Sequence, residues 1–227
     1  MNHLGRKRIL NKIKGKAEKL EAELLRVDQL YHFEREIKSQ GYQIIAGTDE
    51  AGRGPIAGPV VAASVVLPEG LFLKDLNDSK KVSPGKREKL YDEIIEKCLC
   101  FGIKVIDNDE IDRINILQSS CLAMKLAIEG MDILPDFVLV DGLKNKLLTI
   151  PQLPLVKGDS KSASIAAASI LAKVYRDRIM DEYDKLYPEY GFATHKGYPT
   201  KKHIQAVKDY GVLKIHRKTF TPISILL

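Results

Sequence analysis

The sequence predicts an α/β fold: a mixed five-stranded sheet flanked by helices, with an N-terminal helical extension over residues 1–40 and the main domain over 41–227. Three observations carry that prediction. Strand-like, β-branched segments crowd the stretch between residues 43 and 106, which suits an antiparallel meander. Two further apolar runs follow, joined to the first three through helical patterns. A helix built almost wholly of small residues, Ser162-Ala163-Ser164-Ile165-Ala166-Ala167-Ala168-Ser169, is suited to lie close against a sheet.

In chain order, Arg6 to Gln40 reads as one or two helices, with Ile9, Ile13, Leu20, Leu24 and Leu25 near helical period and basic residues between them. An amphipathic helix packed on the main body is the plain reading, and a basic arm touching nucleic acid is the alternative. A boundary is expected near Ser39-Gln40-Gly41. Strands are then expected over 43–48, 59–67 and 98–106. Between the last two, Ser83-Pro84 supplies an N-cap and a proline at the first helical position, opening a helix to about Lys97. Asp107 with Glu110, and Asn115 with Gln118, resemble two capping boxes, so a short helix and a longer one to about Gly130 should follow. Phe137-Val138-Leu139-Val140 reads as a buried central strand ending at Asp141, and Leu153 to Val156 as a fifth. Asp159 is expected to start the small-residue helix, which runs to about Leu186; a last helix spans about Thr200 to Asp209 before a short tail.

The formal charge of +6 and pI near 9.0 suit a polyanionic partner. Cys98, Cys100 and Cys121 have neither disulfide-framework nor zinc spacing, so reduced thiols and a cytoplasmic location are expected. The N-terminus leads into a charged helix rather than an apolar signal, and no stretch approaches the roughly 20 apolar residues of a membrane span, so no membrane association is expected.

The most informative run is Gly47-Thr48-Asp49-Glu50-Ala51-Gly52-Arg53-Gly54-Pro55. Adjacent carboxylates repel, and a fold that keeps them together commonly neutralises them with a multivalent cation. Asp49, Glu50, Asp141 and Asp159 each fall at a strand end or helix start, a common way to assemble an oxygen cage for Mg²⁺ or Mn²⁺. Taken singly, each has a plainer reading: a polar turn at Asp49-Glu50, a hairpin at Asp141-Gly142, a helix cap at Asp159. The conjunction of the four favours metal chemistry. The Gly52-Arg53-Gly54 loop is neither a dinucleotide fingerprint nor a Walker loop, because Pro55 and strand-like sequence follow it; it is a donor-rich loop able to meet a sugar or phosphate. Lys80 and Lys81, and Lys157 and Lys161, flank the acids as candidate phosphate contacts, and His195-Lys196-Gly197-Tyr198 adds an aromatic able to stack.

These motifs, together with Asn77-Asp78-Ser79-Lys80-Lys81 and Lys157-Gly158-Asp159-Ser160-Lys161-Ser162, occur in an order that resembles bacterial ribonuclease HII over roughly residues 42–211. The Gly-Arg-Gly form argues against the sister type, ribonuclease HIII. The resemblance implies a ribonuclease H-like fold and an endonuclease that hydrolyses the RNA strand of RNA/DNA hybrids and cuts 5′ of single ribonucleotides in duplex DNA. It implies Asp49, Glu50, Asp141 and Asp159 as catalytic carboxylates binding two Mg²⁺ or Mn²⁺ ions, with 3′-hydroxyl and 5′-phosphate products. Gly52, Arg53 and Gly54 are implied to sense the ribose 2′-OH, Tyr198 to stack on the following sugar, and Lys80 to contact phosphate. A monomer is expected. The rivals are a non-catalytic nucleic-acid-binding module, which four intact acids disfavour because they would repel phosphate, and a DNA-specific nuclease of the same fold, which would have no use for a ribose sensor. The first forty residues lie outside the resemblance.

Overall fold

A computed structural model describes residues 3–227, with side chains from residue 12 onward. Met1, Asn2 and the side chain of Ile9, named above, lie outside the described residues. The elements are α1 (His3–Leu30), α2 (His32–Ser39), β1 (Ile45–Ala51), β2 (Val60–Val66), α3 (Pro84–Lys97), β3 (Cys100–Ile106), α4 (Asn108–Ile114), α5 (Ile116–Glu129), β4 (Phe137–Asp141), β5 (Gln152–Leu155), α6 (Ala163–Leu186), α7 (Phe192–His195), α8 (Lys201–Tyr210) and α9 (Ile223–Leu226).

The five strands form one sheet in the order β3-β2-β1-β4-β5. The first three make the expected antiparallel meander, while β4 runs parallel to β1 and β5 parallel to β4. The parallel pairing excludes the hairpin reading of Asp141-Gly142. Gly142 instead adopts a positive φ of 77° where the chain leaves β4 on its way to β5. The mixed sheet flanked by helices is therefore as the sequence predicts.

Helix α6 crosses one face. Ala163, Ala166, Ala167, Ala168 and Ala172 are fully buried, and Gly47 on β1 lies so close that a Cβ there would stand 2.2 Å from the Ile165 amide nitrogen. Small residues on both partners let the two backbones approach. Helix α5 covers the other face through Ala123, Met124, Ala127 and Ile128, packed on Val60, Ala62, Val138 and Val140.

Helix starts follow local chemistry, with departures. Ser83 is the N-cap before Pro84 as expected but makes no side-chain capping bond, and Asn115 accepts from the amides of Leu117 and Gln118 with no return bond from the Gln118 side chain among the described residues. Asp107 accepts from the Glu110 amide, but the Glu110 carboxylate pairs with Arg113 instead of returning to Asp107, so that capping box is only half formed. Asp159 does not start α6. It sits in a 3-10 turn, Gly158–Ser160, and the cap is Ser162, whose hydroxyl accepts from the Ile165 amide at 3.2 Å. The three-residue shift arises because Ser162 has the extended backbone a cap requires, with ψ 135°.

Val27, Leu30 and Tyr31 of the N-terminal helices join the core with β2, α3 and α6, and Ile37 packs with Ile45, Phe137 and Ile165. Ile13, Leu20, Leu24 and Leu25 are exposed. The C-terminal tail is more than an appendage: His216 pairs with Ala57 in an isolated bridge, and His216 and Arg217 are fully buried.

Candidate active site

Strand β1 extends three residues beyond the expected end, so Asp49 and Glu50 lie within it. The register Thr48↔Val140 makes Asp49 and Asp141 the next residues on two neighbouring parallel strands, at the same end of the sheet. Consecutive strand residues face opposite ways, so Asp49 and Glu50 address different sides of that sheet end. Asp159 follows β5 one turn later, and its turn is tied to β4 because the Gly158 amide donates to Asp141 Oδ1 at 2.6 Å. Strand order thus brings Asp49 and Asp141 to one end of the sheet, Glu50 lies beside Asp49, and the tied turn adds Asp159.

Their electrostatics reflect the proximity. Burial, followed by the charges of Glu50, Asp141 and Asp159, holds the Asp49 carboxyl well above the usual carboxylate range. Glu50 is also raised, by burial and by Asp141, against the lowering effect of Arg53. Asp159 is pushed up to about 6 by burial, then by Asp78 and Asp141, with Lys80 opposing. Lys80 is exposed, and its pKa is raised overall: partial desolvation lowers it, but Asp78, Asp49, Asp159 and Asp141 together prevail.

Among the described residues no three acidic, histidine or cysteine side chains close into a finished ligand cage. Internal donors engage the oxygens instead. Glu50 faces Arg53 at 3.3 Å, Asp49 Oδ1 accepts from the Glu50 amide at 2.7 Å, and Asp141 accepts from Gly158. Mutual repulsion favours such partners over further convergence. Crowded carboxylates in excess over cations are nevertheless the donor chemistry that hard divalent ions require, so the residues fit a Mg²⁺ or Mn²⁺ centre.

The Gly52-Arg53-Gly54 loop borders Glu50. Gly52 has a φ of 101°, and a Cβ there would stand 2.1 Å from Arg176 Nε. Two arginines outside the sequence motifs secure this region, Arg217 the loop itself and Arg176 the segments beside it. Arg217 donates to the carbonyls of Gly52 (2.6 Å), Arg53 (3.1 Å) and Gly58 (3.0 Å), and Arg176 to those of Pro59, Lys196 and Ala57. Among the described residues neither has a carboxylate partner within salt-bridge distance, and burial lowers the pKa of Arg217 to about 9 and of Arg176 to about 10, so both remain charged at neutral pH. For Arg176 the sequence holds a signal: it continues the four-residue series Ala168, Ala172 along the buried face of α6. Arg217 has no such signal, because only tertiary contact buries the tail.

Tyr198 is 44 % exposed, and a Cβ on Gly54 would stand 3.2 Å from its ring, so this distant aromatic borders the same loop. His195 is structural: Nε2 faces the Tyr190 carbonyl, Nδ1 faces the Gly197 amide, and the ring stacks on His203 at 4.4 Å. Of two clefts nearby, only the first is lined by any of the four acids. One of about 310 Å³ includes Glu50, Arg53, Asp141 and Cys121; the other, about 980 Å³, lies between the N-terminal helices and Asn77, Lys81, Ser160 and Lys161.

A mixed sheet that carries acidic residues at one end of its two central strands, beside a basic rim and a glycine loop, defines a nuclease of the ribonuclease H type. The profile of the ribonuclease HII family matches residues 46–223. A ribonuclease HII of Acetivibrio thermocellus is 52% identical over 214 residues, covering 94% of this chain and 84% of the relative. Among solved structures, the ribonuclease H2 of Pyrococcus horikoshii OT3 aligns with a TM-score of 0.69 at 28% identity, over 81% of this chain and 97% of that one. The ribonuclease HII in a PCNA complex from Archaeoglobus fulgidus aligns at 0.63 and 25%, over 78% and 95%. This chain belongs to the ribonuclease HII family and is a ribonuclease H endonuclease, a hydrolase.

Proposed function

We propose that the enzyme hydrolyses the RNA strand of RNA/DNA hybrids and also cuts on the 5′ side of a single ribonucleotide embedded in duplex DNA, leaving 3′-hydroxyl and 5′-phosphate ends. The observation that carries this reading is the meeting of Asp49 and Asp141 at one end of adjacent parallel strands, with the Asp159 turn fastened to Asp141 and the Gly52-Arg53-Gly54 loop alongside.

Asp49, Glu50, Asp141 and Asp159 would hold two Mg²⁺ or Mn²⁺ ions. When bound, such ions supply Lewis-acid activation of water and charge stabilisation of the leaving 3′-oxygen. The protein's own part is positional. Strands β1 and β4 and the 3-10 turn keep the acids in place, while Lys80 offers a positive charge to substrate phosphate. Gly52 lets the loop close on Arg176, Gly54 keeps the backbone bare beside Tyr198, and Arg217 holds the carbonyls of Gly52 and Arg53, so the loop presents a fixed surface to a 2′-hydroxyl. Tyr198, against Gly54, offers an aromatic face to the next sugar. The enzyme acts as a monomer on this reading. A reducing cytoplasm suits its three free thiols, and no described helix is long and apolar enough to cross a membrane.

The test is a DNA duplex bearing one ribonucleotide, incubated with Mg²⁺, Mn²⁺ or chelator and mapped to the nucleotide. A single cut 5′ of the ribonucleotide, dependent on the cation, is expected. Cleavage that persists in chelator, or a cut on the 3′ side, would overturn the assignment.

A further inference from the structure

Glu34 lies on α2, outside the segment that the family profile matches, yet its carboxylate reaches the start of α6. Its Oε1 accepts from Ser162 Oγ at 2.6 Å, from the Ser164 amide at 2.9 Å and from Ser164 Oγ. Its Oε2 is buried without a hydrogen-bond partner among the described residues. A buried carboxylate oxygen without a donor is costly, and the arrangement persists only because the three bonds to Oε1 offset that cost.

Those bonds end on the structure that presents Asp159. The Ser162 hydroxyl receives the Ile165 amide while donating to Glu34, and the Ser162 amide donates to the Gly158 carbonyl at 2.8 Å. Gly158 in turn donates to Asp141. A continuous path therefore runs Glu34, Ser162, Gly158, Asp141, and the Asp159 turn is enclosed within it. Exposed hydrogen bonds alone would leave a three-residue 3-10 turn free to fray. From this geometry we propose that Glu34 is a positioning residue: the N-terminal helices fix, through Ser162, the spacing of Asp141 and Asp159 that divalent cations must find.

The inference rests on the reading of Asp159 as a metal-binding carboxylate, so Asp159→Asn is measured beside it. The readouts are the Mg²⁺ concentration for half-maximal cleavage, the KM for hybrid at saturating Mg²⁺, and Mg²⁺ binding by calorimetry. Glu34→Ala is expected to raise the half-maximal Mg²⁺ concentration and the calorimetric Kd by about tenfold or more, with KM for hybrid changed less than about twofold. Such losses are typical when the partners of a metal ligand are removed. Glu34→Gln keeps an acceptor for the Ser162 hydroxyl and the Ser164 amide and should restore both values to within about threefold. Should Glu34→Ala fail to fold, Ser162→Ala cuts the same path from the other side and should shift the Mg²⁺ requirement in the same direction. A Glu34→Ala protein, or its Ser162→Ala substitute, that has lost thermal stability while keeping a wild-type Mg²⁺ requirement would overturn the inference alone. Normal Mg²⁺-dependent turnover by Asp159→Asn would overturn the metal reading beneath it.

Discussion

On the proposed reading, Asp49 is a single residue both costly to the fold and required by the site. Its folded pKa is raised above the ordinary unfolded value near 3.8, so protonation stabilises the native state. That contribution is complete below the unfolded pKa and is lost as pH rises through the folded one. At pH 8 without metal, the carboxyl is therefore a net burden. Asp49→Asn should raise the melting temperature in chelator by on the order of 2–4 °C, and should lower cleavage by on the order of 10³-fold or more because a charged ligand is gone. Melting curves with EDTA and single-turnover cleavage check the pair. An unchanged or lower melting temperature would show that the carboxylate carries no electrostatic burden. Tyr198 calls for a different comparison. Half exposed against Gly54, it contributes little to the core, so Tyr198→Ala should reduce cutting at a lone ribonucleotide by about tenfold or more, in line with the ~1–3 kcal/mol of a lost stacking contact, with a smaller loss in affinity for ordinary duplex. Equal losses on both would make it a structural residue.

Among the elements, the contact of α6 with β1 sets the geometry of the acidic end. Gly47 permits it: a methyl group there would meet backbone atoms of Ser164 and Ile165 at 2.2 Å, which no side-chain rotation relieves. Gly47→Ala should destabilise the protein by about 2–4 kcal/mol, read as a shift in the urea midpoint. It should also impair cleavage, since α6 begins directly after the Asp159 turn. Wild-type stability would mean that α6 can withdraw from the sheet without penalty. The alanine run already signals a close helix–sheet contact, because small side chains remain small in any environment. The true cap of α6 was not legible, since Asp159 and Ser162 are both good capping residues and only the backbone path decides between them. The hairpin signal at Asp141-Gly142 was overruled for a related reason. Pairing of β4 with β1 and β5 engages its hydrogen-bonding edges, so the turn residues serve a crossover.

Across the whole molecule, the C-terminal segment folds back to secure the glycine loop and does so around neutral histidines. His203 and His216 face each other at 3.0 Å between their Nε2 atoms, within reach of the carbonyls of Tyr198 and Leu213. Burial lowers both pKa values to about 4, and His195 beside them is lowered by burial as well. A base with a depressed folded pKa contributes stability in full above its unfolded value near 6.5, and that contribution falls away as pH drops towards 4. For one such residue the loss at pH 5 is about 2 kcal/mol. The raised carboxylates act with the opposite sign in this range, so the informative quantity is a difference between proteins. His216→Gln should melt lower than wild type at pH 7.5 yet lose less on acidification to pH 5. Parallel curves for the two proteins would place the acid sensitivity elsewhere.

The sequence by itself determined the strands, most helix positions, the acidic and glycine motifs and their order. Hydrophobic period, capping chemistry and residue size act over a few neighbours and survive as pattern. Only the tertiary structure decided that Asp49 and Asp141 stand on adjacent parallel strands, that Arg217 from the tail supports the Gly52-Arg53-Gly54 loop, and that Glu34 reaches Ser162 across 128 residues. Strand order and long-range burial depend on how the elements cover one another's apolar faces, and nothing in the sequence marks Arg217 or Glu34 until its partners are in place.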